Sequence, residues 1–259
     1  MNNKSETNRK FALIKFGEYK YMQQLYEEGH LFFNTFKFFK ELEKKEDGRG
    51  DKNEYVSAHY AGEKISNISI NFIPRDNPNQ GFIAKGGIDF KMTTLDYGND
   101  KKFTHLYSLS SIDINWALQN DIIIDERNFA EKKDYAVFIY NFDEFANRVE
   151  NKIKEFPDYN YEFKEIEYVD RNTYFGEMGA FRKFNDYAYQ SEYRIANFFQ
   201  GDITTPKSLY IGSLKGIATK PLNKFEFYNI MLNFKCKDEN GNSKVVQISN
   251  KKILDKYAI

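Results

Sequence analysis

The sequence predicts an α+β fold, mostly antiparallel sheet flanked by a few helices, on three observations. Short apolar runs of strand length recur along the chain between turn residues and crowd its second half. Two stretches, Tyr19 to Glu28 and the one that begins at Asn141, carry apolar residues at helical spacing. Asn240-Gly241 sits between two strand-like runs, which is the sequence signature of a tight antiparallel hairpin.

Each element follows from local pattern. Phe11 to Phe16 reads as the first strand, closed by Gly17. Met22, Leu25 and Tyr26 mark one face of the first helix, and Gly29 suits its left-handed cap. His30 to Phe33 reads as a strand, and Asn34 as the cap of a helix through Glu46 that buries Phe36, Phe39 and Leu42. The Lys and Glu run from Lys40 to Asp47 is the wet face of that helix. Asp47 to Asn53 is a glycine-flanked charged loop, Ile65 to Ile73 a strand, and Gly81 to Lys102 an irregular segment. Lys102 to Ile112 resumes strand character. Phe142, Phe145, Ala146, Val149 and Ile153 form one apolar stripe behind Asn141. Further strands are expected over 135–140, 161–169, 187–198, 208–211, 225–235 and 245–248.

Length and composition set the class. A chain of 259 residues is long enough to bury a substantial core, and 19 Tyr with 25 Phe make that core ring-rich. The reading is a polar tail over residues 1–10 and a single α+β domain over 11–259. Charges balance at 38 basic against 38 acidic, so net charge does not indicate nucleic acid as a partner. Cys236 is the only cysteine, which excludes an intrachain disulfide framework and points to the cytoplasm. Residues 1–10 lack a signal-like apolar core, and no apolar run reaches membrane-spanning length.

Phosphate-loop, dinucleotide-fingerprint, His-Glu-x-x-His and Gly-x-Ser-x-Gly patterns are all missing from the sequence. His30, His59 and His105 stand singly and read as structural or exposed, not as metal ligands. Trp116 reads as core and Cys236 as inert. Arg49, in the glycine-flanked loop with Asp51 and Glu54, is placed either to grip a phosphate or carboxylate or to stand in a solvated turn. The richest stretch is Phe181 to Arg194. As a strand it puts Gln190, Glu192 and Arg194 on one face and Tyr189, Ser191, Tyr193 and Ile195 on the other. That triplet is either a solvent-facing charged row or a site.

Gln190-Ser-Glu192 on a late strand, with Leu106-Tyr-Ser-Leu-Ser-Ser111 earlier, resembles the mono-ADP-ribosyltransferases. The resemblance implies NAD as substrate and a nicotinamide pocket lined by Ser108, Ser110 and Ser111. Glu192 inherits the carboxylate that binds the ribose hydroxyl and steadies an oxocarbenium-like transition state, and Gln190 the role of orienting the acceptor. Family members carry an Arg on the first core strand, where this chain offers Lys15, with Arg9 just outside it.

A broader pattern joins Gly29 to Asn34, Arg49 to Glu54, Lys183-Phe184 with Tyr187, Gln190, Glu192 and Arg194, and Ile211 to Leu214. In it the chain is similar to uncharacterised proteins of bacteria and their phages, which implies a setting in phage–host conflict. Two functions follow. One is an ADP-ribosyltransferase-like enzyme that uses NAD to modify a macromolecular target. The other is a non-catalytic, phage-encoded inhibitor that binds a bacterial anti-phage defence complex. Partners are then a protein target or defence complex, with a homo-oligomer as a further possibility.

Overall fold

A computed structural model of the chain describes residues 11–35, 38–39, 58–61, 68–72, 82–86, 92–94, 104–113, 124–129, 133–156, 160–198, 205–229, 232–237 and 243–248. The fold is α+β and its strand pairs are mostly antiparallel. Strand β1 (Phe11–Gly17) leads into helix α1 (Tyr19–Glu28) and strand β2 (His30–Thr35). Strands β3 (Ala58–Tyr60), β4 (Ile68–Phe72), β5 (Phe82–Gly86) and β6 (Met92–Thr94) precede the long β7 (His105–Asp113). Then come β8 (Tyr135–Ile139), helix α2 (Phe142–Ile153), β9 (Asn160–Glu165), β10 (Glu167–Val169), β11 (Phe175–Glu177), β12 (Arg182–Phe184) and β13 (Glu192–Phe198). Strands β14 (Lys207–Tyr210) and β15 (Leu222–Asn223), helix α3 (Lys224–Tyr228), and strands β16 (Leu232–Lys237) and β17 (Ser243–Ile248) complete the order.

The central 8-stranded sheet runs β14-β2-β7-β1-β8-β15, with β13 added to β7 and β9 to β13. One face buries the larger core. Leu13, Val137, Ile139, Tyr107, Tyr193 and Ile195 from the strands meet Met22 and Leu25 of α1 and Phe145, Val149 and Ile153 of α2. The other face packs Ala12, Ile14, Ile112 and Phe138 against Phe227 and Tyr228 of α3. Helix α2 forms as its stripe and cap predict: the Asn141 side chain accepts from the Glu144 N–H at 3.1 Å, and Phe145 and Val149 are buried. Helix α1 ends at Gly29, whose φ of 64° is the left-handed cap.

Several expectations are corrected. Asn34 lies inside β2, opposite Leu106, and the N–H of Phe38 donates to Thr35 Oγ1 at 3.1 Å, so the cap falls one residue later. Phe36, Leu42 and the rest of that expected helix, except Phe38 and Phe39, fall outside the described residues, as do the tail over 1–10 and Trp116. The segment expected to be irregular contains β5 and β6. The expected strand over 225–235 opens instead as α3, because Asn223 and Glu226 form a reciprocal capping box. The strand expected from Tyr187 begins only at Glu192; residues Asn185–Gln190 form a 3₁₀ turn, and Ser191 at φ 43° kinks the chain between them.

Candidate functional site

Strand β7 has three neighbours but only two edges. Strand β13 covers one edge, from Ser110 opposite Glu192 to His105 opposite Asn197. The other edge is shared: β1 pairs with residues 110–113, and β2 pairs only with His105 and Leu106. Between these two ladders, along Tyr107 to Leu109, neither β1 nor β2 continues the sheet. The strands that flank α1 therefore splay apart and leave a fork over β7.

A cleft of about 580 Å³ fills this fork, within the ordinary size of a small-ligand site. Its lining includes Tyr107 and Leu109 from one face of β7 and Ser108 and Ser110 from the other, so the cleft reaches through the gap in the sheet. Tyr21, His30, Phe32 and Phe38 bring rings to its wall, and Arg127, Lys133, Lys183, Gln190 and Glu192 bring polar groups.

Register explains the meeting of the Ser-rich strand with the late polar triplet. Glu192 lies opposite Ser110, and Arg194 opposite Ser108, so these side chains share a face of the β7–β13 ladder. Glu192 is 5 % exposed and Arg194 1 %, which excludes the solvent-facing charged row. The guanidinium donates from Nε to Glu192 Oε1 at 2.6 Å and from Nη1 to the Ala180 carbonyl at 2.7 Å. Lys183 Nζ lies 2.7 Å from Glu192 Oε2 and donates to Gln190 Oε1 at 2.9 Å. The Glu192 backbone N–H donates to the Tyr168 hydroxyl at 2.8 Å. Burial works against the carboxylate's charge, but the Arg194 and Lys183 cations outweigh it and hold the Glu192 carboxyl well below the usual range. Burial, with Glu192 nearby, pushes the Tyr168 hydroxyl up to about 12.

Gln190 reaches the cleft from the end of the 3₁₀ turn and not from the strand. Its position depends on the Ser191 kink, which Ser111 pins: the Ser111 N–H and Oγ both donate to the Ser191 carbonyl, at 2.7 and 3.1 Å. Ser111 is thus part of the support and not of the lining. Asn128 Nδ2 donates to the Tyr189 carbonyl at 3.1 Å, and Arg127, held by Asp125 at 2.6 Å, covers the Tyr189 ring at 4.0 Å.

Lys15 enters from β1 where its ladder with β7 has ended. Its Nζ donates to the Ser108 carbonyl at 2.6 Å and lies 4.2 Å from the centre of the Tyr107 ring. Burial first, then the Lys133 charge, push the Lys15 amine down to about 7, against the opposing pull of Glu192. Burial also pushes the Tyr107 hydroxyl far up.

Lys15, Ser108, Ser110, Gln190 and Glu192 are therefore gathered at one cleft, Ser111 stands behind it, and Arg49 lies outside the described residues. Arg127, Lys133 and Tyr168 carry no sequence signal of a site, because only the fold brings their distant segments here. Lys183 was visible only through the broader resemblance. Of the histidines, His59 and His105 are buried, bonded to the Arg171 and Thr205 carbonyls, whereas His30 lines the cleft and bonds Ser208 Oγ at 2.9 Å. Among the described residues, no group of three or more His, Cys, Asp and Glu is placed to hold a metal ion, and no helix is long and apolar enough to cross a membrane.

No protein-family model, curated protein or solved structure matches this chain.

Proposed function

We propose that the forked-sheet cleft takes NAD and that the chain transfers its ADP-ribose to a macromolecular target in the cytoplasm, in a setting of bacterium–phage conflict. The observation that carries this reading is the placement of Glu192 directly opposite Ser110, with Gln190, Ser108 and Lys15 on the same cleft. Arg127, Lys133 and Lys183 line the cleft with Glu192 as the one carboxylate of its lining, which suits a pyrophosphate. The rings of Tyr21, Phe32 and Phe38 offer faces for stacking a base. A carboxylate has about four acceptor sites, and the contacts from Arg194 Nε, Arg194 Nη2 and Lys183 Nζ leave Glu192 about one for a ribose hydroxyl. In the reaction the bond from ribose to nicotinamide breaks and its electron pair leaves with nicotinamide. The acceptor supplies the new bond and releases a proton. A charged Glu192 beside the developing positive ribose stabilises the transition state more than the ground state.

The second reading, a non-catalytic inhibitor that binds a defence complex, draws on a different property of the same residues. The Glu192, Lys183 and Arg194 network ties β12 and β13 together and serves as a structural clamp in its own right. Release of nicotinamide from NAD by purified protein, with and without a cell lysate as acceptor, separates the two. Under the enzyme reading Glu192→Gln lowers turnover by about a hundredfold or more. It also lowers stability by about 3 kcal/mol, since two buried cations lose their counterion, so turnover is read well below the variant's melting temperature. A wild-type protein that releases no nicotinamide and captures an intact defence complex overturns the enzyme reading.

A further inference from the structure

We propose that Lys15 is a nucleophilic amine that captures small aldehydes or ketones bearing a phosphate or carboxylate, as an imine, inside the forked-sheet cleft. This activity does not rest on the NAD reading.

The geometry carries the inference. Lys15 sits past the end of the β1–β7 ladder, while its other edge stays paired with Val137 of β8, and its side chain lines the fork on the β7 side. Its hydrogen-bond partner is a backbone carbonyl, Ser108, and its other close neighbour is the Tyr107 ring face. Among the described residues, no carboxylate lies within ion-pair distance of its Nζ, since Glu192 is engaged by Arg194 and Lys183. The charged and titratable groups on the surrounding elements are Tyr107 on β7, Lys133 before β8, Lys183 on β12, Glu192 on β13, Arg127 in the turn before β8, and Tyr21 and His30 on the α1–β2 side. A half-buried, poorly solvated amine beside a second cation, with no carboxylate of the described residues in ion-pair reach, loses its proton near neutral pH, as its lowering to about 7 expresses. A free lone pair at neutral pH is what nucleophilic addition to a carbonyl requires. Lys133, Lys183 and Arg127 line the same space, Lys183 paired with Glu192 and Arg127 with Asp125, and offer N–H donors to an anionic substituent on the carbonyl compound.

The step balances without a further reactant. The Lys15 nitrogen adds to the carbonyl carbon, the carbonyl oxygen takes up protons and leaves as water, and a carbon–nitrogen double bond remains. Amine plus carbonyl gives imine plus water, with no change in oxidation state.

Pyridoxal 5′-phosphate, an aldehyde with a phosphate, is the probe. The full chain is incubated with it at pH 7, reduced with borohydride, digested and mapped by mass spectrometry. The expected result is preferential labelling of Lys15, about tenfold or more above the average for other lysines, whose amines are almost wholly protonated at that pH. The Lys15 labelling rate is expected to rise with a midpoint near pH 7, well below the ordinary lysine range. Lys15→Arg should remove the selective adduct. Because the wild-type map and pH profile need no variant, they decide the matter even where Lys15→Arg fails to fold. Labelling spread over other lysines with Lys15 unreacted, or a Lys15 profile that rises only toward pH 10, overturns the proposal.

Discussion

Glu192 is buried and Lys15 half-buried on one cleft, yet loss of solvent has opposite consequences for them because their neighbours differ. Glu192 has two cations at hydrogen-bonding distance and stays charged. Lys15 has a carbonyl, a ring face and a like charge, and its amine is pushed down to about 7 from 10.5. The sign of the resulting pH dependence follows. The unfolded chain holds the Lys15 proton up to about 10.5 and the folded chain only to about 7, so folding releases a proton between those values and stability rises with pH across that window. The cost of charging Lys15 is complete below pH 7 and gone above 10.5. Lys15→Met should therefore raise stability at pH 6 by about 2–3 kcal/mol, and the gain should shrink toward zero as the pH approaches 10.5. Denaturant melts of both proteins at pH 6, 8 and 10 check this; a gain that does not vary with pH contradicts it. The residue types of this site were legible in the sequence, since Lys15, Gln190 and Glu192 were singled out by motif. Their charge states were not. That of Lys15 depends on burial and on Lys133, which lies far away in the chain, and that of Glu192 on burial against Arg194 and Lys183, near in the chain but brought to it only by the fold.

At the scale of elements, local rules succeed where the local signal is complete. Helices α1 and α2 form where their stripes and caps place them. They fail where a cap competes with an apolar run, as at α3, whose Asn223 and Glu226 capping box overrides the ring-rich stretch behind it. They fail again at Ser191, where alternation counts through the residue but the backbone turns left-handed. The joint between α1 and β2 is the most constrained point of the fork. Gly29 has φ +64°, and a Cβ there would lie 2.2 Å from the Gly212 carbonyl oxygen and 2.7 Å from the Ile211 side chain. The segment that follows β14 is bonded to the same joint: the Ile211 N–H donates to the Gly29 carbonyl at 3.1 Å and the Leu214 N–H to the Tyr26 carbonyl at 2.9 Å. Gly29→Ala combines a disfavoured left-handed backbone with a clash against the Gly212 carbonyl and should cost about 3 kcal/mol or more. A melting temperature within error of wild type contradicts that expectation.

At the scale of the whole molecule, the cleft is a product of strand order. Strands β1 and β2 are consecutive around α1 and address the same edge of β7, so the distance between their ladders is the width of the opening. No single segment encodes this. The Ser-rich β7 and the Gln190–Glu192 segment are about eighty residues apart in the sequence, and only the β7–β13 register sets Glu192 against Ser110. The central claim, that this fork is an NAD site, is tested most directly by calorimetric titration of NAD into the wild-type chain and into Ser110→Phe. That variant places a ring in the cleft opposite Glu192 and leaves every charged group in place, with its fold confirmed by its melting curve. The account predicts saturable binding to a single site in the wild type and its loss in the folded Ser110→Phe variant; no NAD binding by the wild type, or undiminished binding by the variant, contradicts it.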